Sequence, residues 1–320
     1  MLVPYLIIIA LLFLAMPVYF RIADRFNIID KPNQRSSHTK ITIRGGGIVF
    51  YLGALIWFIW SGASYPWFFA GLTAITVISF LDDVFTMSNR VRITVHLVSV
   101  LLMIYELGGF GLPWYVLPIA LILIIGTINA YNFMDGINGI TAMYSFAVLL
   151  SLWLANRQES FIDDRLLYCT AIANGVFAFF NFRQRAKCFA GDVGSVSMCF
   201  ILLFATLSLI FASSNPIYIL FFAVYGVDSV LTIAHRLMKR ENIFEAHRSH
   251  LYQYLANEAR ANRLMVSTTY GILQAVIGWG VIQIAHLDTS AQIVFSISIL
   301  ALLGATYIIL KTYLYRRYIY

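Results

Sequence analysis

The chain has 320 residues, 60% of them hydrophobic and 12% charged, with 22 lysines and arginines against 15 acids and a formal net charge of +7. Soluble domains carry about a quarter charged residues, so this composition excludes one and places the chain in a bilayer. The positive balance is no nucleic-acid signal, because the cations are spread over separate polar connections where anionic lipid and anionic substrate are the partners to expect.

Taken in order, the runs Leu6 to Phe20, Ile48 to Trp60, Val116 to Ile128 and Ile293 to Leu310 approach or reach the roughly 20 residues a helix needs to cross the hydrocarbon. They are apolar all round, which excludes the alternating strands of a membrane β-barrel. The first run lacks a basic leader and ends at Arg21 without a small-residue cleavage site, so it reads as a retained span. Eleven apolar segments are predicted, centred near Ile9, Ala54, Thr73, Val100, Ile122, Val148, Ala173, Phe204, Val224, Ala275 and Leu300. The expected fold is an all-α polytopic membrane bundle of about 11 transmembrane helices.

An odd number of spans puts the termini on opposite sides, and the distribution of basic residues chooses the orientation. With the N-terminus periplasmic and the C-terminus cytoplasmic, only Arg157 and Arg165 of the 22 basic residues lie outside. No repeat or domain linker is visible, so residues 1–320 read as one domain with cytoplasmic loops at about 21–47, 81–92, 129–139, 183–195 and 237–266. Cys169, Cys188 and Cys199 lack metal-ligand spacing and are expected to be packing residues.

Carboxylates at the edge of hydrocarbon are costly and commonly functional, and here they gather on one side. Asp82 and Asp83 end the third span, Asp135 follows the fifth and Asp192 precedes the eighth. Adjacent side chains on a helix diverge by about 100°, so only one of the Asp pair is expected to point into a shared site, with the other supporting it or holding the lipid head group. Asn132, Asp135 and Asn138 recur at intervals of three, as on one helical face, with Gly136 and Gly139 allowing close approach. Asp192 sits among small residues at a helix entrance, where backbone N–H groups suit phosphate and the carboxylate suits a cation.

The late loop carries His247, Arg248 and His250, read as phosphate contacts, a two-histidine zinc site being the rival without a third ligand nearby. Lys40, Arg44 and the run Gly45-Gly46-Gly47 compose a phosphate-handling loop, or a basic anchor with a hinge. Asp228 and Arg236, eight residues apart, are a structural pair or part of the same pocket.

Together these blocks resemble the polyprenyl-phosphate N-acetylhexosamine-1-phosphate transferases, a superfamily that includes the phospho-N-acetylmuramoyl-pentapeptide transferase of peptidoglycan synthesis. The resemblance rests on Asp30-x-Pro32-Asn33-x-Arg35-Ser36-x-His38, Arg44-Gly45-Gly46-Gly47, Asp82-Asp83, Asn132 to Gly139, Asn181, Gly191 to Ser195 and the late histidine loop. It implies a dimer in the bacterial cytoplasmic membrane with its site facing the cytoplasm, Mg²⁺ with Mn²⁺ as a substitute, a UDP-N-acetylhexosamine donor and undecaprenyl phosphate as acceptor.

On that resemblance Asp192 and Asp135 hold the metal, and Asp82, Asp83, Asp135 and Asn138 are the catalytic set. Asn132, Lys40, Arg44, Asn181, His247, Arg248 and His250 bind substrate. His247-Arg248-Ser249-His250 is similar to members that initiate O-antigen or capsule polysaccharides, whereas the peptidoglycan enzyme has three consecutive histidines. Asn138 stands where many relatives carry aspartate, and an amide cannot act as a carboxylate nucleophile. That favours direct attack by lipid phosphate. The rival of another class is a secondary transporter, which usually shows repeated halves and broken helices at the midplane.

Overall fold

The computed structural model describes residues 2–32, 40–85, 87–242 and 248–318. Their long apolar runs fold as helices: α1 (Val3–Arg25), α2 (Ile48–Trp60), α3 (Pro66–Phe85), α4 (Asn89–Glu106), α5 (Val116–Phe133), α6 (Ile140–Glu159) and α7 (Asp164–Asn181). They continue as α8 (Gly191–Ser213), α9 (Ala223–Met238), the single turn α10 (Leu251–Gln253), α11 (Arg263–Ile284) and α12 (Thr289–Tyr318). Each of the eleven expected centres falls inside one of these helices other than α10.

Among the described residues, seven helical stretches are long and apolar enough to cross a membrane, including Pro216–Met238, where a 3₁₀ segment leads into α9. The chain is an integral membrane protein of helical architecture. The strands among the described residues form a two-residue ribbon, in which Ile29 and Asp30 pair antiparallel with Ile43 and Thr42.

Local chemistry starts several helices. Ser88 accepts from the Val91 amide at the head of α4, Asp163 accepts from Arg165 at α7, and Asn262 accepts from Leu264 at α11. Apolar on every side, α8 has its residues from Val193 to Ala205 buried without a break, as a helix at the centre of a bundle must. Around it pack α2, α3, α5 and α6. Phe68 of α3 stacks on Phe204 of α8 with ring centroids 3.8 Å apart. The periphery is apolar too: Leu14 of α1, Ile122 of α5 and Leu302 of α12 are each more than half exposed, a surface suited to lipid.

Close approach of α2 and α8 positions the site. A Cβ on Gly47 would lie 2.2 Å from the Gly194 Cα, so only glycine admits this backbone contact. The amides of Gly46 and Gly47 donate to the carbonyls of Phe189 and Ala190 at 2.8 and 3.1 Å. The glycine run, expected to handle phosphate, spends these two N–H groups on splicing the first loop to the entrance of α8. All three cysteines are buried and unpaired, as packing residues are.

Candidate active site

The bundle brings Asp82, Asp83, Asp192 and Asp135 to one end. Asp83, whose side chain is fully buried, receives the Asp192 and Val193 amides on its two oxygens, each at 3.0 Å. It therefore serves α8 as an N-terminal cap supplied from α3, where the helix dipole also favours its charge. Gly191, at φ 72°, makes room: a Cβ there would come within 2.5 Å of the Asp83 carboxylate. Of the Asp pair, Asp83 is the supporting member and Asp82 the one turned toward the remaining acids.

Two arginines tie the acids into a chain. Arg44 Nε lies 2.6 Å from Asp83 and its Nη2 3.1 Å from Asp192. Arg92 Nη1 lies 2.8 Å from Asp82 and its Nη2 3.4 Å from the other Asp192 oxygen. Asp192 thus sits between two guanidiniums, each of which has a second carboxylate. Asp82 is further held by the Met87 amide at 2.6 Å. Three carboxylates face two guanidiniums, so the chain of charges is net negative, and Asp135 adds to that.

Asp135 lies in the connection between α5 and α6, half-buried, and accepts from the Thr141 hydroxyl at 2.5 Å. Burial pushes its carboxyl up to about 6; the Thr141 hydrogen bond works against that rise and the nearby Asp192 charge adds to it. Asn132, the neighbouring member of the expected polar face, accepts from Ser195 Oγ at 2.8 Å and so joins the α5 end to α8.

Several expected site residues do other work. Asn138 is buried, and its amide donates to the carbonyls of Arg183 at 2.7 Å and Gln184 at 3.3 Å. It clamps a loop through both donors of its amide. Asn138→Asp would aim a carboxylate at two carbonyls and remove both donors, an expected cost of about 1–3 kcal/mol. The expected result is a lower unfolding temperature with no gain in turnover; an aspartate variant as stable as the parent would contradict the clamp.

Asn181, expected to bind substrate, accepts from the Gly139 amide at 2.7 Å and donates to the Cys188 carbonyl at 2.9 Å, so both ends of its amide are used by backbone. His250, expected at phosphate, is buried against Asp228, with Nδ1 3.1 Å from Oδ1. Arg248 is paired with Glu258, and exposed Lys40 has no side-chain bond to the acids. His247 lies outside the described residues. Asp228 and Arg236 are not partners: Arg236 bonds Glu241 at 2.9 Å and the Asn242 carbonyl at 2.7 Å.

Arg92 is the member of the charge chain that the motifs of the sequence do not single out. Its signal was helical spacing. Arg92, His96, Ser99 and Met103 follow one stripe of α4; the last three are buried, whereas Arg90 is exposed.

A cation could be held here only with help. Among the described residues no three carboxylate, histidine or cysteine side chains group closely enough for an all-protein cage. Mg²⁺, however, is bound typically by one or two carboxylates with water and substrate phosphate completing its shell. The oxygen-only donor set of Asp135 and Asp192, in net negative surroundings, fits that mode.

Residues 65–211, which run from α3 to α8 and contain all four acids, match the family model described as glycosyl transferase family 4. A probable undecaprenyl-phosphate N-acetylglucosaminyl 1-phosphate transferase of Bacillus subtilis (strain 168) is 28% identical over 281 residues, covering 79% of this chain and 76% of that protein. Undecaprenyl-phosphate alpha-N-acetylglucosaminyl 1-phosphate transferases of Yersinia pestis and Escherichia coli (strain K12) are 26% and 24% identical over 81% of this chain. They are covered over 78% and 77% of their own lengths. With its acids gathered at the head of α8 inside the matched segment, the chain is similar to glycosyl transferase family 4 over that segment and, over most of its length, to undecaprenyl-phosphate N-acetylglucosaminyl 1-phosphate transferases.

Proposed function

We propose that the protein transfers an N-acetylhexosamine 1-phosphate from a UDP-sugar to undecaprenyl phosphate at the cytoplasmic face of the bacterial inner membrane, releasing UMP and starting a lipid-linked envelope polysaccharide. The observation that carries the reading is the charge chain Asp83–Arg44–Asp192–Arg92–Asp82 beside Asp135 at the head of α8. It offers both signs of charge to two phosphorylated substrates. The relatives' names supply the substrate class. Eleven crossings with the N-terminus outside, one transferase domain over residues 1–320, and a homodimer complete the proposal.

A non-bridging oxygen of the lipid phosphate attacks the sugar-proximal phosphorus of the donor. One P–O bond forms, the P–O bond to the uridylyl phosphate breaks, and UMP leaves with the electron pair. The reactants repel each other, so positioning and charge stabilisation supply most of the acceleration. Arg44 and Arg92, already gathered over Asp192, are the guanidiniums that meet incoming phosphate oxygens. Asp82, the less enclosed member of its pair, orients the lipid phosphate or takes its proton. Asp192 and Asp135 would hold Mg²⁺, which would supply neutralisation of the substrates' phosphate charge. Asn138 offers no carboxylate for a covalent intermediate, which supports direct transfer.

Labelled UDP-N-acetylhexosamine, incubated with the purified protein and undecaprenyl phosphate, should yield equal amounts of lipid-linked sugar phosphate and UMP, and chelation should stop both. Neither product from the wild type with Mg²⁺ present defeats the reading. A panel of N-acetylated donors on one preparation names the sugar.

The Asp135 carboxyl lies near 6 in the folded protein, above the usual value, so the fold favours its protonated form and the protein holds that proton until the pH rises through about 6. A cation must displace it. Apparent Mg²⁺ affinity is therefore expected to be flat above pH 6 and to fall about tenfold per unit below it. A titration series from pH 5 to 7.5 that stays level would remove Asp135 from the metal site.

A further inference from the structure

The most elaborate polar cluster outside the charge chain centres on Asp228, a carboxylate of α9 buried in the bundle. Its Oδ1 meets His250 Nδ1 and the Leu251 amide, each at 3.1 Å, and the Thr232 hydroxyl at 3.3 Å. Its Oδ2 accepts from the Tyr270 hydroxyl of α11 at 2.7 Å. An ionised carboxylate has acceptors only, so His250 donates from Nδ1 and its tautomer is set. The cluster reaches α12, where Tyr307 lies 2.7 Å from Thr232 Oγ1 and the buried Lys311 bonds both. Burying a charge is costly unless it is fully hydrogen-bonded, so this carboxylate has a reason beyond packing.

Its effect reaches the Asp135 connection through two residues. The His250 ring stacks on that of Tyr252 at 5.8 Å, and the Tyr252 hydroxyl donates to the Phe133 carbonyl at 2.9 Å. That hydroxyl sits where a Cβ on Gly136 would be, 2.1 Å away, so the residue after Asp135 is glycine because Tyr252 occupies the space. The late loop is thereby docked on the connection that presents Asp135.

We propose that Asp228 is a positioning residue for Asp135, acting through His250 and Tyr252. This rests on the transferase reading for its kinetic consequence and on the fold alone for its structural one. Asp228 touches no substrate. It holds the start of α10, the start of α10 holds Tyr252, and Tyr252 fixes the backbone around Asp135.

The test pairs kinetics with amide hydrogen exchange on the full-length protein in lipid nanodiscs, using Asp228→Asn, Tyr252→Phe and the double variant. Each single change should leave the KM for the donor within about twofold while kcat falls, by ~30-fold for Asp228→Asn and ~10-fold for Tyr252→Phe. One chain of contacts makes the losses non-additive, so the double variant should stay near ~30-fold and not reach ~300-fold. Exchange in the peptide covering residues 133–139 should quicken in both single variants.

Multiplied losses, or unchanged exchange over 133–139 in both, overturn the proposal. If Asp228→Asn does not fold, Tyr252→Phe decides by itself, since loss of one hydroxyl must still lower kcat and quicken exchange. A wild type without transferase activity would defeat the transferase reading, while the exchange data would still decide the positioning.

Discussion

Asp192→Asn is expected to lower turnover by about a thousandfold, the order seen when a pre-organised charge at a reacting centre is removed, while leaving the unfolding temperature within a few degrees. The asymmetry follows from the wiring. Arg44 keeps Asp83 and Arg92 keeps Asp82 when the middle carboxylate is neutralised, so neither guanidinium is left alone. The head of α8 stays capped, because the Asp192 contribution there is its backbone amide donating to Asp83. What disappears is a negative charge at the point where the proposed mechanism brings cation and phosphates together. The measurement is UMP release with a thermal unfolding curve on the same preparation. Full activity in this variant would remove Asp192 from the metal site.

Asp83→Ala should do the reverse damage, unfolding the protein before its kinetics can be read. The fully buried carboxylate accepts two backbone amides of α8 and one arm of Arg44. Removing one partner of a buried ion pair costs about 3–5 kcal/mol, and loss of a cap about 1 kcal/mol more. That is a large fraction of the stability of an ordinary domain. Asp83→Asn, which keeps an acceptor oxygen, should fall between wild type and alanine. Equal unfolding temperatures for Asp83→Ala and Asp192→Asn would refute the division of labour between the two acids.

This division could not be read from the adjacent pair. Helical geometry predicts that only one of Asp82 and Asp83 points into a shared site, but which one depends on the entrance of α8, more than a hundred residues away. Asn138 is a similar case. Its amide identity looks like a lost acid in the sequence, yet the carbonyls of Arg183 and Gln184 need a donor there, so asparagine meets the demand and aspartate does not. Asn181 and the glycine run read as substrate-handling groups, but their polar atoms serve backbone partners. His250 was read as a phosphate ligand because histidine and arginine stood together, while its ring is committed to a buried carboxylate of α9.

By itself the sequence determined that the chain is helical and membrane-embedded, and that its acids gather at one end of the bundle. Those properties depend on run length, periodicity and local charge, which act along the chain over one or two helical turns. Only the tertiary structure decided which acid caps a helix and which faces the site, why Arg92 belongs to the charge chain, and why Asp135 stands beside Tyr252. A buried polar atom takes whichever partner the packing brings within hydrogen-bond reach. For the carboxylates at the head of α8, those partners come from the loop before α2, from α3 and from α4, and no local stretch of sequence contains them.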